Sequence, residues 1–228
     1  MIDVTRLRKS FGDHTVLDGT SFTVESGTVA ALVGPNGSGK TTSLHVLAGL
    51  ATPDAGTAAV AGHDVVDDRA AAQKHLAFLP QDVRFHDALT PRQVLRFYAG
   101  LRTVSTAPAR IDTLLDRVAL TDAADRPCET LSGGMRQRLG LAVLELADAP
   151  VLLLDEPALS LDPEWRAVLM DRLRTRADEG ATVLLATHLI DVWTSIVDRV
   201  FRCEKGQIRE EESTPDLVPR DVTTGSPS

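Results

Sequence analysis

The sequence predicts an α/β fold with a mostly parallel central sheet, and three observations carry that prediction. A small, β-rich apolar run at residues 28–33 ends in the glycine-rich stretch Gly34-Pro35-Asn36-Gly37-Ser38-Gly39-Lys40-Thr41-Thr42, and helical periodicity follows at once. A continuous apolar run, Val151-Leu152-Leu153-Leu154, has no polar alternation and so suits a strand covered on both faces. After a helix expected at 163–179, a second apolar run occupies 182–186, which gives the β–α–β order of a parallel sheet.

Taken in order, residues 2–7 and 21–24 read as short strands around the polar turn Gly12-Asp13-His14. The helix after the glycine-rich stretch is expected over 40–50, with Leu44, Leu47 and Ala48 inward. Pro53-Asp54-Ala55-Gly56 is a turn, and strands are expected at 57–60 and 75–79, the latter leading to Pro80-Gln81. Thr90 then caps a helix with Pro91 in its first turn and Val94, Leu95, Phe97 and Tyr98 along it. Ile111, Leu114, Leu115 and Val118 space a second helix, and Ser132 caps a third with one buried stripe at Leu139, Ala142, Val143 and Leu146. A short helix is expected at 189–196 and a hairpin at 199–203 and 207–209, turning at Lys205-Gly206. From Ser213 onward Pro, Thr, Ser, Gly and charges predominate, so a frayed tail is expected.

With 228 residues, 43% of them hydrophobic and 25% charged, the chain can bury a full core as one unit carrying an inserted subdomain. No run approaches the ~20 apolar residues of a membrane span, and Met1-Ile2-Asp3-Val4-Thr5 reads as a strand and not as the apolar region of a signal peptide. Any work at a membrane would therefore go through a partner that supplies the spans. A net charge of −8 disfavours unspecific binding to nucleic acid or to an anionic lipid surface. Cys128 and Cys203 are isolated, with neither CxxC nor metal-ligand spacing, and read as free thiols. No internal repeat is present, so one nucleotide-binding unit is expected.

The stretch 34–42 fits G-x-x-x-x-G-K-[ST] in the strand–loop–helix context that this phosphate-cradling motif requires. Glycines let backbone N–H groups converge on phosphate oxygens, and the helix N-terminus adds a favourable dipole. Lys40 is expected at the β- and γ-phosphates, and the Thr41 hydroxyl at Mg²⁺. Asp155 closes an apolar strand at the end where parallel sheets place ligands, so its carboxylate is a second candidate for Mg²⁺. Glu156 can point a second carboxylate at an attacking water. Leu131-Ser132-Gly133-Gly134-Met135-Arg136-Gln137 opens a helix with glycines, a second phosphate-binding surface.

These three segments, in this order, resemble the ATP-binding subunit of an ATP-binding-cassette (ABC) transporter over residues 1–212. The resemblance implies a P-loop NTPase of ABC type, with an N-terminal antiparallel β subdomain beside the sheet. It places an ATP-binding core at 1–81 and 136–212, a helical signature subdomain at 82–135 and a flexible tail at 213–228. It also implies roles: Glu156 as general base, His188 as γ-phosphate sensor, and Gln81 as the amide that reaches metal and water. Phe11 would stack on adenine, with an ordinary edge-packed ring as the alternative. Ser160-Leu161-Asp162 matches the D-loop, and Ser132, Gly133 and Gly134 would close on ATP held by a second ATP-binding subunit. The other five histidines, at 14, 45, 63, 75 and 86, match no motif and read as structural.

The expected partners are a second, identical cassette and polytopic permease subunits, with no nucleic acid. The expected location is cytoplasmic, on the inner face of the cell membrane. Compact form and Gly133-Gly134-Met135-Arg136-Gln137-Arg138-Leu139 look like exporters of the ABC-2 type. The stretch Phe78-Leu79-Pro80-Gln81-Asp82-Val83-Arg84-Phe85 with the Met-bearing signature also resembles the ATPase serving maturation of the nitrous-oxide reductase copper site. Two alternatives stay open: a soluble ABC ATPase acting on ribosomes or DNA, and a nucleotide-binding switch with little turnover.

Overall fold

Continuous apolar runs became the centre of one sheet, and the more polar N-terminal segment joined a second. The computed structural model describes residues 1–102 and 108–211. Among these residues ten strands are β1 (Ile2–Phe11), β2 (His14–Val24), β3 (Val29–Val33), β4 (Ala55–Val60), β5 (His63–Asp64), β6 (Leu76–Leu79), β7 (Val151–Asp155), β8 (Thr182–Thr187), β9 (Arg199–Glu204) and β10 (Gln207–Glu210). Among the same residues six α-helices are α1 (Lys40–Leu47), α2 (Arg69–Lys74), α3 (Pro91–Leu101), α4 (Pro108–Arg117), α5 (Gly133–Ala147) and α6 (Pro163–Asp178).

The larger sheet has the order β10-β9-β3-β8-β7-β6, parallel throughout except for β10, which pairs antiparallel with β9. Every residue of β3, β7 and β8 is buried, as two-sided coverage by helices demands. The register sets Val33 beside Thr187, Asp155 beside Ala186 and Leu79 beside Leu154. The C-terminal ends of β3, β8, β7 and β6 therefore lie side by side. The smaller sheet, β2-β1-β4-β5, is antiparallel. It joins the larger one where Ile208 N–H donates to Thr20 Oγ1 at 2.9 Å and Asp18 N–H to the Gly206 carbonyl at 2.9 Å. Phe22 and Phe201 pack there with ring centroids 5.3 Å apart, inside a core shared by both sheets.

A separate buried cluster runs from Val94 and Leu95 of α3 through Ile111, Leu114 and Leu115 of α4 to Leu139, Ala142 and Leu146 of α5. Thr90 caps α3 in a reciprocal capping box with Gln93, Pro91 sits in the first turn, and Ser132 caps α5, all as expected. However, α5 is buried on two sides and not along one stripe. Leu141 and Leu144 face the sheet core while Leu139, Ala142 and Leu146 face the helical cluster.

Other boundaries moved. β1 and β2 extend to Phe11 and from His14, because their polar ends pair as an exposed hairpin that shows no apolar alternation. α1 stops at Leu47, since Gly49 turns left-handed at φ 69° and reverses the chain. The expected helix at 189–196 is only a 3₁₀ turn, Ile190–Val192, followed by further turns. Its N–H groups reach back three residues, with Trp193 donating to Ile190 and Ile196 to Trp193. β-branched Ile190, Val192, Thr194, Ile196 and Val197 give this segment a weak α-helix propensity. β5 and α2 were not expected at all. The tail expected at 213–228 lies outside the described residues.

Candidate active site

The 34–42 loop leaves β3 and enters α1 in a shape that only glycine permits at several points. Gly37 and Gly39 have φ of 79° and 103°, and a Cβ on Gly39 would lie 2.8 Å from Leu17 and 3.1 Å from the Val16 carbonyl oxygen. At Gly34 a Cβ would meet the Cys203 carbonyl oxygen at 2.3 Å, so β9 packs directly on the loop's entry. Lys40 is 5% exposed, and its ammonium donates to the carbonyls of Gly34 at 2.7 Å and Pro35 at 3.1 Å. The long cation is thereby folded across the loop it follows.

Facing this loop are the ends of β7 and β8. Asp155 is 2% exposed; burial pushes its carboxyl pKa up, hydrogen bonding from Thr41 opposes that, and the neighbouring Glu156 charge adds to the rise. The charges of His45 and Lys40 also oppose it, and the net shift is upward. Among the described residues, two buried side-chain atoms lack any hydrogen-bond partner: Ser38 Oγ and Asp155 Oδ1. A hydroxyl on a phosphate-cradling loop and a carboxylate opposite are polar groups that a Mg²⁺–nucleotide would satisfy. A hard divalent cation takes oxygen ligands, which Thr41 and Asp155 offer. The residues present thus fit the group that the motif implies.

Glu156 holds a left-handed backbone, φ 45°, which is unusual for a residue with a Cβ. Its N–H donates to the Ala186 carbonyl at 2.9 Å, which ties the turn to β8. Its Oε1 lies 2.8 Å from His188 Nδ1, while Thr187 Oγ1 accepts the Leu189 N–H at 3.0 Å and shapes the turn that carries the imidazole. Gln81 is exposed at the end of β6, beside β7. Asp162 caps α6 by accepting the Trp165 N–H at 2.9 Å, and Ser132 caps α5 by accepting the Met135 N–H at 3.2 Å. A Cβ at Gly134 would stand 3.2 Å from the Ser160 carbonyl oxygen, so the signature and the 160–162 turn are neighbours within one chain.

Gly34 through Thr42, Gln81, Asp155, Glu156 and His188 thus stand at the ends of adjacent parallel strands. Phe11 stands apart, 56% exposed at the tip of the β1–β2 hairpin with the Lys9 ammonium 5.3 Å from its ring centre. Two residues that shape the site had no assigned part. Gln137 is 3% exposed and donates from Nε2 to the Pro157 carbonyl at 3.2 Å. Arg166 Nε donates to the carbonyls of Ala158 at 3.2 Å and Leu161 at 2.9 Å. Gln137 closes the signature segment 131–137, which was a signal of a kind; Arg166 sits in no motif.

A phosphate-cradling loop facing two adjacent carboxylates across a parallel sheet defines a P-loop ATPase. The chain belongs to the ABC transporter family, whose model matches residues 17–159, and it is an ATP-binding, ATP-hydrolysing cassette of that family. A daunorubicin resistance ATP-binding protein of Streptomyces coeruleorubidus is 38% identical over 218 residues, which are 95% of this chain and 69% of that one. A Nod factor export ATP-binding protein I of Burkholderia lata is 37% identical, covering 97% of this chain and 73% of its own. The solved ATP-binding subunit of an ABC transporter superposes with a TM-score of 0.87 at 27% identity, over 92% of this chain and 89% of that one. A dimeric cassette in a post-hydrolysis state with ADP and Pi shares the fold at 24% identity, with a TM-score of 0.84 over 92% of this chain and 98% of its own. Among the described residues, no helix is long and apolar enough to cross a membrane.

Proposed function

We propose that the chain is the ATP-hydrolysing subunit of an exporter of the ABC-2 type, working as a pair of identical cassettes beneath membrane-spanning permease subunits. The observation that carries the catalytic part is the Glu156–His188 contact, held beside Asp155 and opposite the 34–42 loop. In this reading Lys40 leaves the Gly34 and Pro35 carbonyls to meet the β- and γ-phosphates, joined by the loop N–H groups, Ser38 and Thr42. Thr41, Asp155 and Gln81 would hold Mg²⁺, which would supply charge neutralisation to the phosphates. Glu156 takes the proton of the attacking water, and His188 orients that carboxylate and meets the γ-phosphate.

Phe11 is free to stack on a purine because its ring is exposed. Ser132, Gly133, Gly134 and Asp162 face the nucleotide of the partner cassette, so ATP closes the pair and hydrolysis reopens it. Residues 82–135 form the helical signature subdomain between the core segments 1–81 and 136–212, and the surface following Gln81 passes the motion to the permease. The chain then lies on the inner face of the cell membrane without entering it, and its net charge of −8 argues against nucleic acid as partner. The names of the relatives, drug resistance and Nod factor export, weigh for an efflux role over the narrower copper-site maturation resemblance.

The test is Glu156→Gln. With ATP the variant should hydrolyse very slowly, run as a dimer by light scattering and carry a polytopic membrane protein with it from native membranes. A monomer with ATP, or ribosomal or DNA-bound partners, would overturn the transporter reading.

A further inference from the structure

Glu156 occupies a backbone conformation that its own side chain disfavours, at φ 45°, so the surrounding contacts must hold it there. On the sheet side, its N–H is fixed by the Ala186 carbonyl at 2.9 Å. On the other side the next carbonyl, that of Pro157, is buried and accepts the Gln137 amide at 3.2 Å. Gln137 lies on α5, three residues beyond Gly134, hence on the same helix face, and Gly134 packs on the Ser160 carbonyl oxygen. One face of the signature helix therefore grips the turn that follows Glu156 at two points. Proline has no N–H, so at residue 157 the turn offers α5 only its carbonyl, while Arg166 of α6 holds the far end of the turn through Ala158 and Leu161.

We propose that Gln137 is a positioning residue for hydrolysis: its amide couples the signature segment Ser132–Gly134 to the orientation of Glu156. A phosphate engaging the N-terminus of α5 bears on this helix, and Gln137 is the hydrogen bond through which α5 reaches the residue next to Glu156. The inference rests on the reading of Glu156 as the base.

Two variants of the full chain test it. Gln137→Met keeps length and removes the donor; Gln137→Glu keeps shape and can donate only when protonated. Phosphate release at saturating ATP should fall about tenfold for Gln137→Met, as expected for one buried hydrogen bond, with the ATP dissociation constant within about twofold of the parent. The deficit of Gln137→Glu should shrink as the pH is lowered. In a Glu156→Gln background, Gln137→Met should cost nothing further, because it acts through that side chain. An unchanged rate in Gln137→Met, or the same tenfold loss in the Glu156→Gln background, would overturn the coupling. So would a loss matched by weakened ATP binding. Should Glu156→Gln itself hydrolyse at the parental rate, the base assignment falls, and the coupling with it. A slow Glu156→Gln beside a silent Gln137→Met sinks the coupling alone.

Discussion

His188 Nδ1 and Glu156 Oε1 meet at 2.8 Å although β8 delivers one and β7 the other. The carboxylate is almost wholly shielded, 9% exposed, while the imidazole is 39% exposed. The pair therefore has a protected inner member and an outer member open to solvent.

If the two act as one unit, their losses will not add. Glu156→Gln should lower the hydrolysis rate by about 10²- to 10³-fold, within the range of general-base catalysis. His188→Ala should lose about a hundredfold, and the double variant should be no worse than Glu156→Gln by more than about twofold. Steady-state phosphate release for the four proteins closes the cycle. Losses that multiply would mean that the 2.8 Å contact has no part in turnover.

Asp155 yields a prediction of opposite sign for stability. Burial raises its pKa, so the folded protein favours the neutral acid. A raised folded pKa means that this group's stabilising contribution is complete below the unfolded pKa, near 3.8, and is lost as pH rises through the folded value. At neutral pH, without metal, the ionised carboxylate is thus a cost. Asp155→Asn should raise the melting temperature of metal-free protein, by about 2–4 °C for each kcal/mol relieved, and the gain should vanish on acidification. The same variant should lose the stabilisation that Mg²⁺ and ATP confer on the parent. A metal-free melting temperature that falls would show that the Asp155 charge is already well compensated.

Which parts of this site could be read from the chain follows from how each is built. The 34–42 loop, Asp155 and Glu156 are local: a glycine pattern, or a polar residue that ends an uninterrupted apolar run, records its own geometry. β3, β7 and β8 were legible for the same reason, since two-sided burial leaves no polar residue in the run. Gln137 and Arg166 act on carbonyls 20 and 8 residues away for their first contacts, and a bond to a backbone oxygen leaves no mark on the acceptor's side chain. α2 was invisible because the alanine-rich 69–74 segment buries only Ala72 and shows no periodicity, and β5 because two residues, His63 and Asp64, carry no pattern. At 189–196 apolar residues suggested a helix, but burial of Trp193, Ile196 and Val197 is achieved by turns instead.

Lys40 should matter twice. Its ammonium satisfies the Gly34 and Pro35 carbonyls and, in the proposed reading, exchanges them for phosphate oxygens. Lys40→Ala should therefore weaken ATP binding by about a hundredfold or more, the scale of a charged hydrogen-bonded contact to phosphate. Lys40→Arg should not restore it, because a guanidinium is too broad for a cation that is 5% exposed within the loop. Nucleotide titration by fluorescence decides this, and near-parental affinity in Lys40→Ala would remove Lys40 from the phosphate site.

Gly34 leaves no room for a side chain between the loop and β9. A Cβ there would stand 2.3 Å from the Cys203 carbonyl oxygen, far inside contact distance, and 2.8 Å from Ser38 Oγ. The hydroxyl could swing aside; the carbonyl belongs to β9, which is locked to β3 by parallel pairing through Val33 and Arg202 and to β10 by Ile208. Relief therefore requires either β9 to part from β3 or the loop to lift from the sheet. The first should destabilise the protein by about 3 kcal/mol or more, as overpacking against fixed backbone does. The second would keep stability and displace the loop that cradles phosphate. Gly34→Ala should show at least one loss, a melting temperature lower by about 6 °C or more, or ATP affinity reduced at least tenfold. A variant with both properties of the parent would mean that β9 does not hold the loop in place.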